Sequence, residues 1–156
     1  MPQYRHFLLM ISTSAAVMFC LTYANTYELS HVYFSWTRVF MTMTMAGAMA
    51  LIMLFFMRHM YKDKRANVLI CAVSLAFIGA GLWLVRSQAT VGEVAWMKAM
   101  IPHHSIAILT SERAHISDPR VRRLANDIID TQRREIDEME GLIRRGRPSK
   151  STGERP

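Results

Sequence analysis

The sequence predicts an all-α membrane protein: three transmembrane helices followed by a two-helix hairpin outside the bilayer. Three observations lead there. Long uncharged apolar runs are confined to residues 7–85, and most of the charge lies in 86–156. After residue 85 the apolar spacing changes to that of amphipathic helices. At 156 residues the chain has room for a membrane region and one small domain. The expected division is a transmembrane region at 1–86, a helical hairpin domain at 87–145 and a basic tail at 146–156.

Residues 7–24, 39–57 and 68–85 contain no charged side chain. A helix of about 20 mainly apolar residues crosses a bilayer, and snorkelling ends make up a small shortfall. A soluble protein with three buried core helices is disfavoured, because none of these runs has a polar face to show water. The first run, preceded by Arg5 and followed by Thr22-Tyr23-Ala24, also reads as a signal peptide, but it is long for that role.

The loops orient the spans. RHMYKDKR, residues 58–65, holds Arg58, Lys62, Lys64 and Arg65 against one Asp63. NTYELSHVYFS, residues 25–35, has Glu28 and no lysine or arginine. The positive-inside rule places the N-terminus and the basic loop in the cytoplasm, and the first loop and the hairpin outside. The expected location is a bacterial inner membrane with a periplasmic C-terminal domain. Topology thus accounts for much of the net charge of +7, with membrane lipid as a partner and no nucleic acid. Cys20 and Cys71 fall near opposite ends of their spans, too far apart for a disulfide.

The hairpin reads as helices at 92–115 and 119–144. Ser117-Asp118-Pro119 is a start signal, a capping residue before proline at the first helical position. Gly146 and Pro148 end the second helix, and the polar tail beyond is expected to be disordered. At about 100° per residue, Met97, Met100, His104, Ala107, Ile108, Ser111 and His115 share one stripe of the first helix. His103 falls at its edge or outside. Val121, Leu124, Ala125, Ile128, Gln132, Glu135, Ile136, Met139, Leu142 and Ile143 form the stripe of the second. Glu135 and Gln132 interrupt it, and a carboxylate facing a core needs a partner or a metal. Pro102 implies a kink or a restart of the first helix. Two helices bury little alone, so the hairpin is expected to form a four-helix bundle by homo-oligomerisation.

The chemistry on offer is soft. Met97, Met100, His104 and Met139 supply thioether and imidazole ligands, a set that favours copper, Cu(I) above all. Spacings of three and four put the first three on neighbouring turns. Glu135 or Gln132 is placed to hold a ring nitrogen. Against this, methionines at helical spacing commonly fill cores. Met41, Met45, Met49, Met53 and Met57 make an unbroken i, i+4 row in the second span. The middle of that row reads as an adaptable packing seam beside Ala46-Gly47-Ala48. Its outer end, Met41 near His31, is the part placed to touch metal. No HExxH, CxxC, phosphate loop or GxSxG is present, and no enzyme is expected.

WMKAMIPHHSIAI and RRLANDIIDTQRREIDEM together resemble the domain of unknown function 305 family, with its MxxMIPHHxxAI and LAxxIIxxQxxEIxxM pattern. The resemblance covers about 91–143. It implies a ferritin-like helical bundle and, for some members, copper binding in the periplasm. By resemblance Met97, Met100, His103, His104 and Met139 take the candidate ligand positions, with Gln132 and Glu135 beside them. One position departs: copper-linked members often carry methionine where this chain has Thr110, and a hydroxyl is a poor Cu(I) ligand.

The expected function is copper binding or homeostasis at the outer face of the membrane. A different class of reading is a structural or accessory protein whose hairpin oligomerises or docks a partner membrane protein without metal. A third is metal passage along the second span, for which three helices are few.

Overall fold

The computed structural model describes residues 2–146. It is all helical: α1 (Pro2–Leu21), α2 (Trp36–Phe56), α3 (Lys64–Ser87), α4 (Glu93–Arg113) and α5 (Pro119–Arg145), with a 3-10 turn at Leu29–His31. Among the described residues there is no strand. The tail beyond Gly146, expected to be disordered, lies outside the described residues. The chain forms two compact units: Met1–Ala24 with Trp36–Val91, and Asn25–Ser35 with Gly92–Pro156. The loop between the first two long helices therefore belongs with the hairpin, although its sequence position links two spans.

Helices α1, α2 and α3 are each long and apolar enough to cross a membrane. They begin before the uncharged runs do, because polar and charged residues flank the apolar cores. Asp63 starts α3 by accepting from the amides of Arg65 and Ala66 at 2.9 and 3.2 Å, the bonds expected of an N-cap. Gln88 closes it in the left-handed conformation (φ 51°). Helices gain no hydrophobic drive from meeting in lipid, so close backbone packing decides the contact. A Cβ on Gly47 would lie 2.7 Å from the carbonyl of Ser74, and one on Gly81 would lie 2.9 Å from the carbonyl of Phe40. Glycine alone lets α2 and α3 approach this closely.

Polar groups in this unit find partners. The Thr44 hydroxyl donates to the carbonyl of Phe40 at 3.0 Å. Arg38, the one charged residue near the start of α2, donates to the carbonyl of Thr22 and lies 4.2 Å from the ring centre of Tyr23. That cation–π contact joins the end of α1 to the start of α2. At the other end, Phe7 is buried edge-on against Tyr61, with ring centres 5.3 Å apart. Of the methionine row, Met53 and Met57 pack against this same cluster, whereas Met41 and Met45 are exposed. The row winds out of the unit and does not line one enclosed path. Both cysteines are free thiols.

In the second unit, Asp118 caps α5 by accepting from the amide of Arg120 at 2.8 Å. The Arg120 guanidinium beside it holds this carboxyl below the usual carboxylate range. A lowered folded value means the cap is fully present above the ordinary carboxylate range and is lost as pH falls through the lowered one. Helix α4 runs unbroken through Pro102. Met97, Ile101, Ile108, Ile129, Ile136 and Met139 form the core between α4 and α5.

The buried rows differ from the predicted stripes in two ways. On α4 they run through Met97, Ile101, Ser105 and Ile108, turned away from Ser111 and His115. The turn has a cause: segment 25–35 covers the Ser105 side of α4. On α5 the inward row is Ala125, Ile129, Gln132, Ile136, Met139 and Ile143, at alternating spacings of four and three. Ile129 stands in it where Ile128 was expected, and Ile128 is only half-buried. Val121, Leu124 and Leu142, predicted to be covered, are exposed.

Gly81→Ala is expected to part α2 and α3 and cost about 1–3 kcal/mol, the usual cost of overpacking. Gly79→Ala, where an added Cβ meets nothing within 4 Å, should be neutral. Reversible unfolding in mixed micelles measures both.

Candidate functional site

The core between α4 and α5 gathers the sulfur. Met97 and Met139 are buried in it, and the half-buried Met100 packs against it. Three of the candidate thioethers thus share one apolar cluster with isoleucines. Gln132 is half-buried in the inward row of α5, between Ile129 and Ile136.

His104 sits at the rim of this cluster, its side chain only 12% exposed. Both ring nitrogens are engaged. Nδ1 is 2.9 Å from the carbonyl of Met100, and Nε2 is 2.7 Å from Glu135 Oε2. A carbonyl only accepts, so Nδ1 carries a hydrogen. A carboxylate also only accepts, so the second contact needs one further proton, on the ring or on the carboxyl. His103 is exposed, its ring centre 6.1 Å from that of His104. Thr110, at the departing family position, is exposed and turned back on its own helix, donating to the carbonyl of Ile106 at 3.0 Å.

His31 is not with these groups. It ends the 3-10 turn, where Nδ1 lies 3.0 Å from Ser105 Oγ. Met41 belongs to the other unit. Among the described residues no group of three or more His, Cys, Asp or Glu side chains is placed to hold a metal ion. The thioethers of Met97, Met100 and Met139 share one apolar cluster, and thioether donors are soft.

Sequence reasoning missed Ser105. It is fully buried, and its Oγ accepts the amide of Tyr27 at 2.8 Å while contacting His31. Segment 25–35 is thus a strap across the hairpin. Tyr27 and Tyr33 pack on the core, and the Tyr33 hydroxyl donates to Glu140 Oε1 at 3.4 Å. A cleft of about 210 Å³ lies under the strap, lined by Tyr27, Glu28, His31, Ile108, Arg133, Ile136 and Asp137. Glu112 faces Tyr27 and pairs with Arg133 at 3.2 Å. Its hydrogen bond with Tyr27 raises the phenol above the ordinary 10.0. A raised folded value means that contact is fully present below pH 10.0 and is lost as pH rises through the raised value. The available signal was a serine in the seam at 101, 105 and 108, since a buried hydroxyl implies a partner.

Residues 91–155 match the family described as a domain of unknown function (DUF305). An uncharacterized protein of Acanthamoeba polyphaga mimivirus is 32% identical over 107 residues, covering 67% of this chain and 68% of the viral one. No solved structure matches.

Ser105→Ala is expected to leave the Tyr27 amide unsatisfied at a cost of about 1–3 kcal/mol. Thermal unfolding of the full chain in detergent gives the loss. Faster amide exchange confined to 25–35 and its footprint on α4 shows that the strap has lifted.

Proposed function

This chain belongs to the DUF305 family, and from that premise we propose that it is a membrane-anchored protein that binds and buffers Cu(I). The observation that carries the reading is the convergence of Met97, Met100 and Met139 on one core with His104 at its rim. Those four residues would hold the ion. The Met100 carbonyl already fixes the His104 ring as a second partner fixes a ligating imidazole. Glu135 occupies Nε2, so the ion enters by displacing the carboxylate and its proton. Gln132 and Glu135 then border the site. His103, on the exposed side, is placed to receive or pass on the ion. His31 is held by Ser105 and would serve at most as an outer donor, and Met41 belongs to the membrane unit.

The location proposed is a bacterial inner membrane, with the basic loop 58–65 in the cytoplasm and the hairpin in the periplasm. The charge of the loops supports this. Folding of segment 25–35 onto the hairpin supports it too, since both then lie on one side of the bilayer. In this reading 1–86 anchors, 87–145 binds and no catalysis is involved.

A second reading is favoured by the uncovered row of α5. Val121, Leu124 and Leu142 are exposed and flank the seam that packs on α4. A helix that packs on one partner needs only a narrow seam, and a bundle helix needs a wider one. The excess fits a second hairpin, giving a ferritin-like four-helix bundle from two copies, or a partner membrane protein.

Titration of the full chain in detergent with Cu(I) against a competing chelator tests the first reading. Stoichiometric binding should fall at least about tenfold in Met97→Leu/Met139→Leu, the loss expected when soft ligands are removed. Equal, weak binding by both proteins would reject it.

Leu124→Glu/Leu142→Glu tests the second. Light scattering should show the assembly shifted toward monomer with helix content unchanged. An unchanged mass would leave that row without a partner copy.

A further inference from the structure

We propose that the membrane unit holds one anionic phospholipid, its acyl chain in the gap between α1 and α3 and its phosphate on Lys64 and Arg65. The gap follows from the packing. Helices α1 and α3 each pack on α2 and make no close backbone approach to one another. One end is bridged by Tyr4, whose hydroxyl donates to Asn67 Oδ1 at 3.0 Å and accepts the amide of Asp63 at 3.1 Å. Beyond that bridge the gap has a floor of small residues, Ala46, Gly47 and Ala50. The groove measures about 390 Å³ and its walls include Phe7, Ile11, Ile70 and Val73. That size lies within the range of about 300–1,000 Å³ typical of small-ligand sites. Its surface is almost wholly apolar, in a part of the chain that lies in hydrocarbon.

Charge selects the occupant. A second, shallower hollow of about 470 Å³ adjoins the groove through Leu69, which lines both, and is completed by Lys64, Arg65, Val68 and Ala72. Apolar surface and cationic heads are therefore continuous along one side of α3. Segment 58–65 has four cations and one carboxylate. That carboxylate, Asp63, is turned onto the amides of Arg65 and Ala66, so the helix end is already capped and the cations are left in excess. Arg5, next to the Tyr4 bridge, adds another at this level. Juxtamembrane clusters of lysine and arginine attract anionic headgroups. An apolar helix of a second copy would fill the groove equally well but would leave this charge unmatched. A phospholipid with a net negative headgroup satisfies both halves.

Native mass spectrometry of the full chain, released from detergent with equal amounts of phosphatidylglycerol and phosphatidylcholine, tests the assignment. One phosphatidylglycerol should be retained in preference. Lys64→Gln/Arg65→Gln, at two exposed positions, should cut that preference by about tenfold or more. Val73→Trp, in the groove wall, should lower retention of both lipids, and Leu75→Trp, exposed on α3 outside the groove, should lower neither. Equal retention of the two lipids by the unaltered chain overturns the proposal. So does a Val73→Trp chain that loses a second copy while keeping its lipid.

Discussion

Hydrocarbon cannot hydrogen-bond, and the three helices of the first unit are long and apolar enough to meet that constraint. Within each of these helices the backbone groups pair along the helix, as a spanning segment requires. The side-chain exceptions are closed locally: Thr44 onto its own helix, Arg38 onto the end of α1. Contact between α2 and α3 depends on the absence of side chains at Gly47 and Gly81. The hairpin obeys the opposite rule. There water drives burial, and isoleucine and methionine fill the seam that glycine would leave empty.

The helices were legible because each leaves a local signature. Uncharged runs marked α1 to α3. Asp118-Pro119 marked the start of α5, and the carboxylate accepts the amide it should. The strap left no such trace. Its bonds join Tyr27 and His31 to Ser105 across more than 70 residues, and periodicity within a helix does not record a neighbour from elsewhere in the chain. Without the strap, Ser105 reads as a polar flaw in the stripe and the inward face of α4 is placed some way round the helix. The narrow seam of α5 was likewise blurred by Val121, Leu124 and Leu142, which are apolar and yet uncovered within one chain.

The site was legible in part. A carboxylate inside an apolar stripe asked for a partner, and Glu135 has one in His104. The sequence left open which of Glu135 and Gln132 held the ring by placing both in the core stripe; Glu135 instead stands exposed at its edge, where its carboxylate reaches His104, and Gln132 turns inward. Distance separates them. The methionines remain ambiguous by nature: the thioether that fills a core is the same group that binds a soft ion. Their burial among isoleucines serves either end, and a bound ion would replace dispersion contacts with coordination.

The strap also sets an order of events during synthesis. Tyr33 is made 107 residues before its partner Glu140. At about 5–20 residues per second, several seconds pass before the surface it covers exists. Through that interval the Tyr33 hydroxyl waits for the acceptor it meets in the folded chain. Helices α1 to α3 are thus complete on the ribosome before α5, the second arm of the hairpin, has been made. A fragment beginning after residue 86 would lack the strap, and with it the partners of Ser105.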